Sequence, residues 1–305
     1  MEQRKVPGNP GPCVLVLGMF DGVHLGHRQL LLAGRELADR TGSRLCVLTF
    51  EPHPMEVLCP DRAPGRLTTS QERAQKMEEM GVDVLCVQNF NRSVADMTPQ
   101  AFLDHLLDTC DVAGVVCGYN YTFGKLGRGH ARDLEAWGKE QGIPVLVMDE
   151  VRVDGEGVSS TRIRQLLEEG DVEKAARLLG GPYSLEGSVV HGKGIGHTLG
   201  FATANVKVPE GKALPAFGVY LAWADTDHRY PAMVNIGRHP TLPEGPITVE
   251  AHLLTGDVDL YGRILRLEIL KRMRGEVHFS GVDALIQQLR EDRERALTWF
   301  QSQRT

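Results

Sequence analysis

The sequence contains no stretch of roughly 20 apolar residues, the length a membrane-spanning helix requires, so no membrane association is expected. Residues 1–12 carry charges, Gly and Pro where a signal peptide would carry an apolar core, and the cytoplasm is the expected compartment. There is no CxxC pair. All six cysteines precede residue 120, and Cys13, Cys46, Cys86 and Cys117 each fall inside a short apolar run. They read as small hydrophobes of buried strands, kept reduced, rather than as zinc ligands. No Gly-Lys-Ser/Thr occurs, which excludes a Walker-type phosphate loop. Positive charge is not in excess either: 34 Lys and Arg against 40 Asp and Glu leave a net charge of −6. That balance argues against a nucleic-acid partner, yet a small phosphorylated ligand needs only local positive charge.

What is present is a chain of 305 residues, enough for one large or two ordinary domains. Apolar runs of strand length lie at Cys13–Leu17, Leu45–Phe50, Val82–Val87, Val112–Cys117 and Pro144–Met148. They are apolar at nearly every position, as strands buried on both faces of a parallel sheet must be. Helical patterns separate them. Thr69-Ser70-Gln71-Glu72 fits a capping box, Thr98-Pro99 an N-cap followed by proline, and Gly42, Gly81 and Gly170 sit where helices should stop. This order predicts an α/β, Rossmann-like, doubly wound domain with a parallel sheet.

After Gly180-Gly181-Pro182 the texture changes. Short segments at Tyr183–Val190, Gly218–Ala224, Ala232–Ile236, Thr248–Leu254 and Ile264–Leu270 are divided by Gly, Pro and Asp turns. They predict an antiparallel β-barrel or sandwich, covered on one side by an amphipathic terminal helix over about Val282–Gln301. The expected domains are residues 1–181 and 182–305.

The densest motif is GMFDGVHLGH at 18–27, between the first strand and the first helix. His24 and His27, three apart at the helix start, share a face. Gly22 and Gly26 permit close backbone approach, and the helix N-terminus adds free N–H groups and the positive end of its dipole. The ordinary alternative, two surface histidines near a turn, suits a lone histidine better than an HxGH following a strand and a glycine turn. Three more clusters follow strands: TFEPHP at 49–54, GYNYTFG at 118–124, and VSSTRIR at 158–164, which opens a helix. Ligands of open parallel sheets bind beyond the carboxyl ends of the strands, the edge all four share. Taken singly, the proline-rich cluster is a stiff turn, Ser159 or Ser160 an N-cap, and Arg162 a solvated helix charge; placed together they suit a polyphosphate, which Arg162 can grip with two donors.

In the second half, residues 191–200 form a glycine-rich stretch with Gly192, Gly194 and Gly196. It reads either as a flap over a nucleotide or as a hairpin loop. Thr203 and Asn205 offer hard neutral oxygens acceptable to Mg²⁺ beside ATP, although alone such residues form turns more often. Glu250 alternates with Val249, Ala251 and Leu253 and so faces away from them.

By these residues the chain resembles the bifunctional riboflavin kinase / FAD synthetase family, prokaryotic type. The similarity runs from about Val14 to Phe300 and rests on GMFDGVHLGH, TFEPHP, GYNYTFG and VSSTRIRQLLEEGDVEKAARLLG (158–180). In the second half it rests on TLGFATAN (198–205), GVY (218–220), NIGRHPT (235–241), VEAHLL (249–254) and DLYG (259–262). The resemblance implies that the second domain phosphorylates riboflavin with ATP, and that the first joins FMN to AMP from a second ATP, giving FAD and pyrophosphate. It implies ATP or phosphate contacts from Gly18, Phe20, Asp21, Gly22, His24, Gly26, His27, Asn120, Ser159, Ser160, Thr161 and Arg162. It implies flavin contacts from Phe50, Pro52, His53 and Phe123. In the kinase it implies nucleotide contacts from Gly192, Gly194 and Gly196, Mg²⁺-ATP held by Thr203 and Asn205, and Glu250 as general base. The chain is expected to act as a monomer or weak homo-oligomer.

Three positions depart from the family pattern: His197 stands for arginine, Ala202 for the proline of Pro-Thr-Ala-Asn, and Gly275 for an acidic residue. Losing a fixed charge and a stiff residue motivates a second reading, an FAD synthetase whose kinase half is weak or only binds flavin. A flavin-binding regulator, or a transferase for phosphopantetheine or nicotinamide mononucleotide, accounts for less; the last leaves residues 183–305 unexplained.

Overall fold

The computed structural model describes residues 1–5, 11–191, 201–238, 247–256, 258–277 and 279–303. They form two compact units, Met1–Ser160 and Thr161–Thr305.

The first unit is built on a six-stranded parallel sheet: β1 (Glu2–Lys5), β2 (Pro12–Leu17), β3 (Arg44–Glu51), β4 (Val84–Asn89), β5 (Asp111–Gly118) and β8 (Val145–Met148). Their order is β1-β4-β3-β2-β5-β8. The pleat explains the unbroken apolar runs. Cys13, Leu15 and Leu17 enter one core, while Val14 and Val16 enter the other. The first core is closed by Phe102, Leu103 and Leu106 of α5 (Pro99–Thr109) and by Leu134 and Trp137 of α6 (Ala131–Gln141). The second is closed by Leu30, Leu31 and Leu37 of α1 (Leu25–Thr41) and by Ala74 and Met77 of α3 (Ser70–Glu79). Each such leucine is worth about 1.5–3 kcal/mol relative to exposure. Short elements complete the unit: α2 (Pro54–Leu58), α4 (Arg92–Ala95), the hairpin of β6 (Thr122–Phe123) with β7 (Gly129–His130), and that of β9 (Arg152–Val153) with β10 (Glu156–Gly157).

The helix ends match their sequence signals. Thr69 Oγ1 accepts from Glu72 N at 3.1 Å, and Glu72 accepts in return from Thr69 N at 2.6 Å. Thr98 caps α5 ahead of Pro99, and Gly42 ends α1 in the left-handed region at φ 63°. Cys13, Cys46, Cys86 and Cys117 are fully buried in their strands. Hydrogen bonding to Cys110 and Cys46, together with burial, pushes the Cys13 thiol up, so it is a poor nucleophile. The edge strand β1 was not anticipated. The charged segment Glu2–Lys5 pairs in parallel with β4 through its backbone, and charge at a sheet edge discourages further pairing.

From Thr161 the second unit begins within α7 (Ser160–Glu169), which the left-handed Gly170 at φ 80° joins to α8 (Val172–Leu179). Six strands follow: β11 (Tyr183–Val190), β12 (Ala204–Lys207), β13 (Gly218–Asp225), β14 (Arg229–Arg238), β15 (Ile247–Leu253) and β16 (Ile264–Arg274). They close in the order β11-β12-β15-β14-β13-β16. The closing pair runs from Tyr183↔Ile269 to Ser188↔Ile264, which decides for a barrel over a sandwich. Leu185, Tyr220, Ala222, Val234, Ala251 and Leu267, all buried, lie at interior positions. On the outside, Ala296 and Phe300 of α9 (Val282–Ser302) cover Val219, Leu221 and Met233. Among the described residues no helix is long and apolar enough to cross a membrane.

Candidate active sites

In the order β1-β4-β3-β2-β5-β8 the chain runs outward in one direction from β2 and then crosses to β5 on the other side. The switch point, where open sheets bind ligands, therefore lies between the carboxyl ends of β2 and β5. The segment 18–27 follows β2 there, and Asn120 follows β5.

The 18–27 loop is held in an uncommon conformation. Phe20 has φ 55° and Val23 φ 45°, left-handed values that a β-branched residue avoids, while Gly22 at φ 88° adopts its value freely. Complete burial of the Phe20 and Val23 side chains over-determines the turn. His24 is the N-cap of α1, its Nδ1 accepting from His27 N at 3.2 Å. With Nδ1 accepting, the N–H of the ring is on Nε2. The two imidazoles stack with centroids 3.6 Å apart and 11° between planes, and Phe20 packs on His27 at 4.9 Å. A side chain at Gly26 would approach the His24 ring to 3.2 Å, hence a glycine between the histidines. Burial, then His24, then the Arg73 guanidinium hold His27 well below the ordinary histidine range, so it is neutral at pH 7.

Partners distant in sequence clamp this loop. The Asp21 carboxylate accepts from Leu67 N (3.0 Å), Thr68 N (2.9 Å) and Thr68 Oγ1 (3.1 Å), and Gly22 N donates to the same hydroxyl at 3.0 Å. The Met19 carbonyl accepts from Thr49 Oγ1 and from Arg73 Nη1, each at 3.2 Å. Ser160 Oγ donates to the Asp21 carbonyl at 2.8 Å. Asp21 thus anchors the loop, and Phe20 can offer a ligand only its backbone. Thr68 and Arg73 were invisible to motif reading; the only local hint was the adjacent capping box.

The TFEPHP cluster ends β3. Glu51 meets Arg66 (2.6 Å), Arg73 (2.8 Å) and Ser70 (2.9 Å), and Arg66 also grips Glu56 with two nitrogens. Burial pushes Glu51 up, but these donors outweigh it and hold the carboxyl below its usual range. The Glu51–Pro52 bond is cis. His53 caps α2 through Nδ1, as His24 caps α1. Of the expected flavin contacts, Phe50, Pro52 and His53 are half-buried, whereas Phe123 is buried in the core against Phe102 at 5.2 Å. Asn120 is exposed, its Oδ1 folded back towards Gly118. Gly18 continues β2 by donating to Leu48 O at 3.4 Å. Ser159 precedes α7, and Thr161 and Arg162 lie in its first turn.

In the barrel, Glu250 of β15 stands opposite Asn205 of β12 and Asn235 of β14. Directly paired residues of antiparallel strands share a face. These three therefore share the outer face, away from Val249 and Ala251, as the alternation predicted. Asn235 was missed because its pairing depends on register. Thr203 lines a cavity of about 320 Å³ with Val189, Ala202, Ala204, Ala251 and Leu253, among others. The stacked rings of His191 and Tyr261, 4.0 Å apart, stand near it, Tyr261 being part of the lining. Gly192, Gly194, Gly196 and His197 lie outside the described residues.

The family model described as FAD synthetase matches residues 6–162, and that described as riboflavin kinase matches 179–300. The bifunctional riboflavin kinase/FMN adenylyltransferase of Listeria monocytogenes is 35% identical over 290 residues, 94% of this chain and 92% of that protein. The Escherichia coli K12 protein of the same name is 37% identical over 292 residues, 94% and 93% of the two chains. A crystal structure described as a macrolide-efflux protein from Streptococcus pneumoniae superposes with a TM-score of 0.88 at 31% identity, covering 98% of this chain and all (100%) of that one. With both halves matched in order and relatives aligned along nearly the whole length, the chain belongs to the bifunctional riboflavin kinase/FMN adenylyltransferase family.

Proposed function

We propose that the chain converts riboflavin to FAD in two ATP-consuming steps, phosphorylation by residues 182–305 and adenylylation by residues 1–181. The adenylylation half is carried by the stacked His24 and His27 at the N-terminus of α1 beside the sheet's switch point. An FMN phosphate oxygen attacks the α-phosphorus of ATP, the bond to the β-phosphate oxygen breaks, and pyrophosphate leaves. The nucleophile is already an anion, so the barrier is alignment and charge. His24 Nε2–H and the free N–H groups of α1 meet the phosphate oxygens, and each such donor contributes about 10²–10³ in rate. Neutral His27 adds a donor without adding charge. Positive charge comes from the helix dipole and, on its motif, from Arg162, with Ser160 and Thr161 beginning the same helix and Ser159 just before it. Gly18 and Asn120 border the nucleotide, and Phe50, Pro52 and His53 the flavin.

In the kinase half, Glu250 accepts the proton of riboflavin's hydroxyl as its oxygen takes the γ-phosphoryl group and ADP leaves. The hard oxygens of Thr203 and Asn205 suit Mg²⁺, which when bound neutralises phosphate charge. The cavity beside Thr203 would receive the nucleotide. Relatives named for both activities along the whole chain favour two working steps over an FAD synthetase with an inactive kinase half. The efflux role named for the pneumococcal structure is not adopted, since every motif discussed above suits nucleotide or flavin chemistry. The cytoplasm, small-molecule partners only, and a monomer or weak homo-oligomer complete the reading.

Chromatography of products tests it, with one reaction started from riboflavin and one from FMN, each with ATP and Mg²⁺. FAD from both is expected. FAD from FMN alone refutes the kinase half, and no product from folded, flavin-binding protein refutes both.

A further inference from the structure

His252 follows Glu250 by two residues on the same face of β15. Its Nδ1 lies 2.8 Å from the carbonyl oxygen of Ala202, and its ring packs on the buried Phe201 at 5.3 Å. A carbonyl only accepts, so the imidazole proton sits on Nδ1 and the bond runs from His252 to Ala202. That oxygen belongs to the rigid peptide plane leading to Thr203, and fixing the oxygen fixes where the Thr203 Cα begins. Ala202 has no ring to restrain its own φ, so the segment before β12 needs an outside tether. Thr203 in turn lines the 320 Å³ cavity with Ala204, Ala251 and Leu253.

From this geometry we infer that His252 is a positioning residue for riboflavin phosphorylation, holding the Ala202–Thr203 peptide so that the Thr203 hydroxyl meets the Mg²⁺-nucleotide. The inference rests on the reading of Thr203 as a nucleotide-side ligand. His252 touches no substrate; it acts through the peptide it holds. Its ring supplies packing on Phe201 and a donor to Ala202, and different substitutions separate the two. Asn places an amide N–H close to where Nδ1 stands, Gln places it one atom further out, and Phe keeps the ring without any donor.

The test uses the full chain carrying His252→Asn, His252→Gln, His252→Phe or Thr203→Ala. Measured are KM for ATP and kcat of riboflavin phosphorylation, adenylylation of FMN by the same preparations, and the melting temperature. His252→Gln and His252→Phe should raise KM for ATP about tenfold, the loss of roughly one hydrogen bond. His252→Asn should stay within about twofold of the parent, and adenylylation should not change in any of them. Equal KM values in all three His252 variants, or an Asn variant as impaired as Phe, would overturn the inference in favour of ring packing alone. Unimpaired phosphorylation by Thr203→Ala would instead defeat the underlying reading of Thr203. Should the Phe variant fail to fold, the contrast of Asn with Gln still decides.

Discussion

The hydroxyl of Ser160 donates a 2.8 Å hydrogen bond to the backbone carbonyl of Asp21, joining residues 139 positions apart. Ser160, the last residue of the first unit, is thereby fastened to the loop that presents His24 and His27. Ser160→Ala should lower adenylylation of FMN by about tenfold, through a loosened loop, and leave riboflavin phosphorylation unchanged. Steady-state assays of the two reactions on one preparation check this; an equal fall in both would indicate general destabilisation.

Asp21 is the second anchor of that loop, its carboxylate accepting three hydrogen bonds from Leu67 and Thr68 in a buried site. Asp21→Asn turns one acceptor into a donor facing donors, and should cost about 1–3 kcal/mol of stability while raising KM for ATP in adenylylation. Chemical denaturation together with kinetics reads both effects. Unchanged stability would mean that the contacts with Thr68 contribute nothing.

His24 has two roles that a substitution can divide. Asparagine at 24 can still cap α1 by accepting from His27 N, but lacks the ring Nε2–H; alanine lacks both. Both variants should lose about 10²–10³-fold in adenylylation rate, and only alanine should also lose about 1 kcal/mol of stability. Thermal melts with kinetics distinguish them. An active asparagine variant would place the essential contact at the cap.

His27 gives stability a pH dependence. Its folded pKa is depressed well below 6.5 by burial, His24 and Arg73. Between the folded and unfolded values the unfolded chain binds more protons, so this contribution is fully present above about 6.5 and is lost as pH falls towards the folded value. The melting temperature of the parent should therefore fall more between about pH 7.5 and 5.5 than that of His27→Gln. Parallel curves would show that His27 does not titrate differently in the two states.

Much of this was readable in the sequence because it is local. Strand runs, the Thr69 box, the Thr98-Pro99 start and the facing of Glu250 all depend on neighbours within a few residues, and the structure has each in place. What escaped depends on pairing across the chain. β1 is charged and is held by backbone bonds to β4, and β12 is only four residues long, outside every predicted strand run. Thr68 and Arg73 serve a loop some 50 residues away, Asn235 meets Glu250 only through register, and barrel closure rests on β11 finding β16. The division of the chain has two meanings for the same reason. Motifs assign α7 and α8 to the adenylylation half, while packing groups residues from Thr161 onward with the barrel.

The most direct test of two separate sites in one chain follows riboflavin, ATP and Mg²⁺ with Glu250→Gln and His24→Asn, alone and mixed. The account predicts that Glu250→Gln makes nothing from riboflavin yet makes FAD when given FMN. It predicts that His24→Asn accumulates FMN and makes FAD about 10²–10³-fold more slowly, and that the mixture makes FAD readily. FAD from riboflavin with His24→Asn alone at the parent's rate, or loss of both reactions in either variant despite native melting, would contradict it.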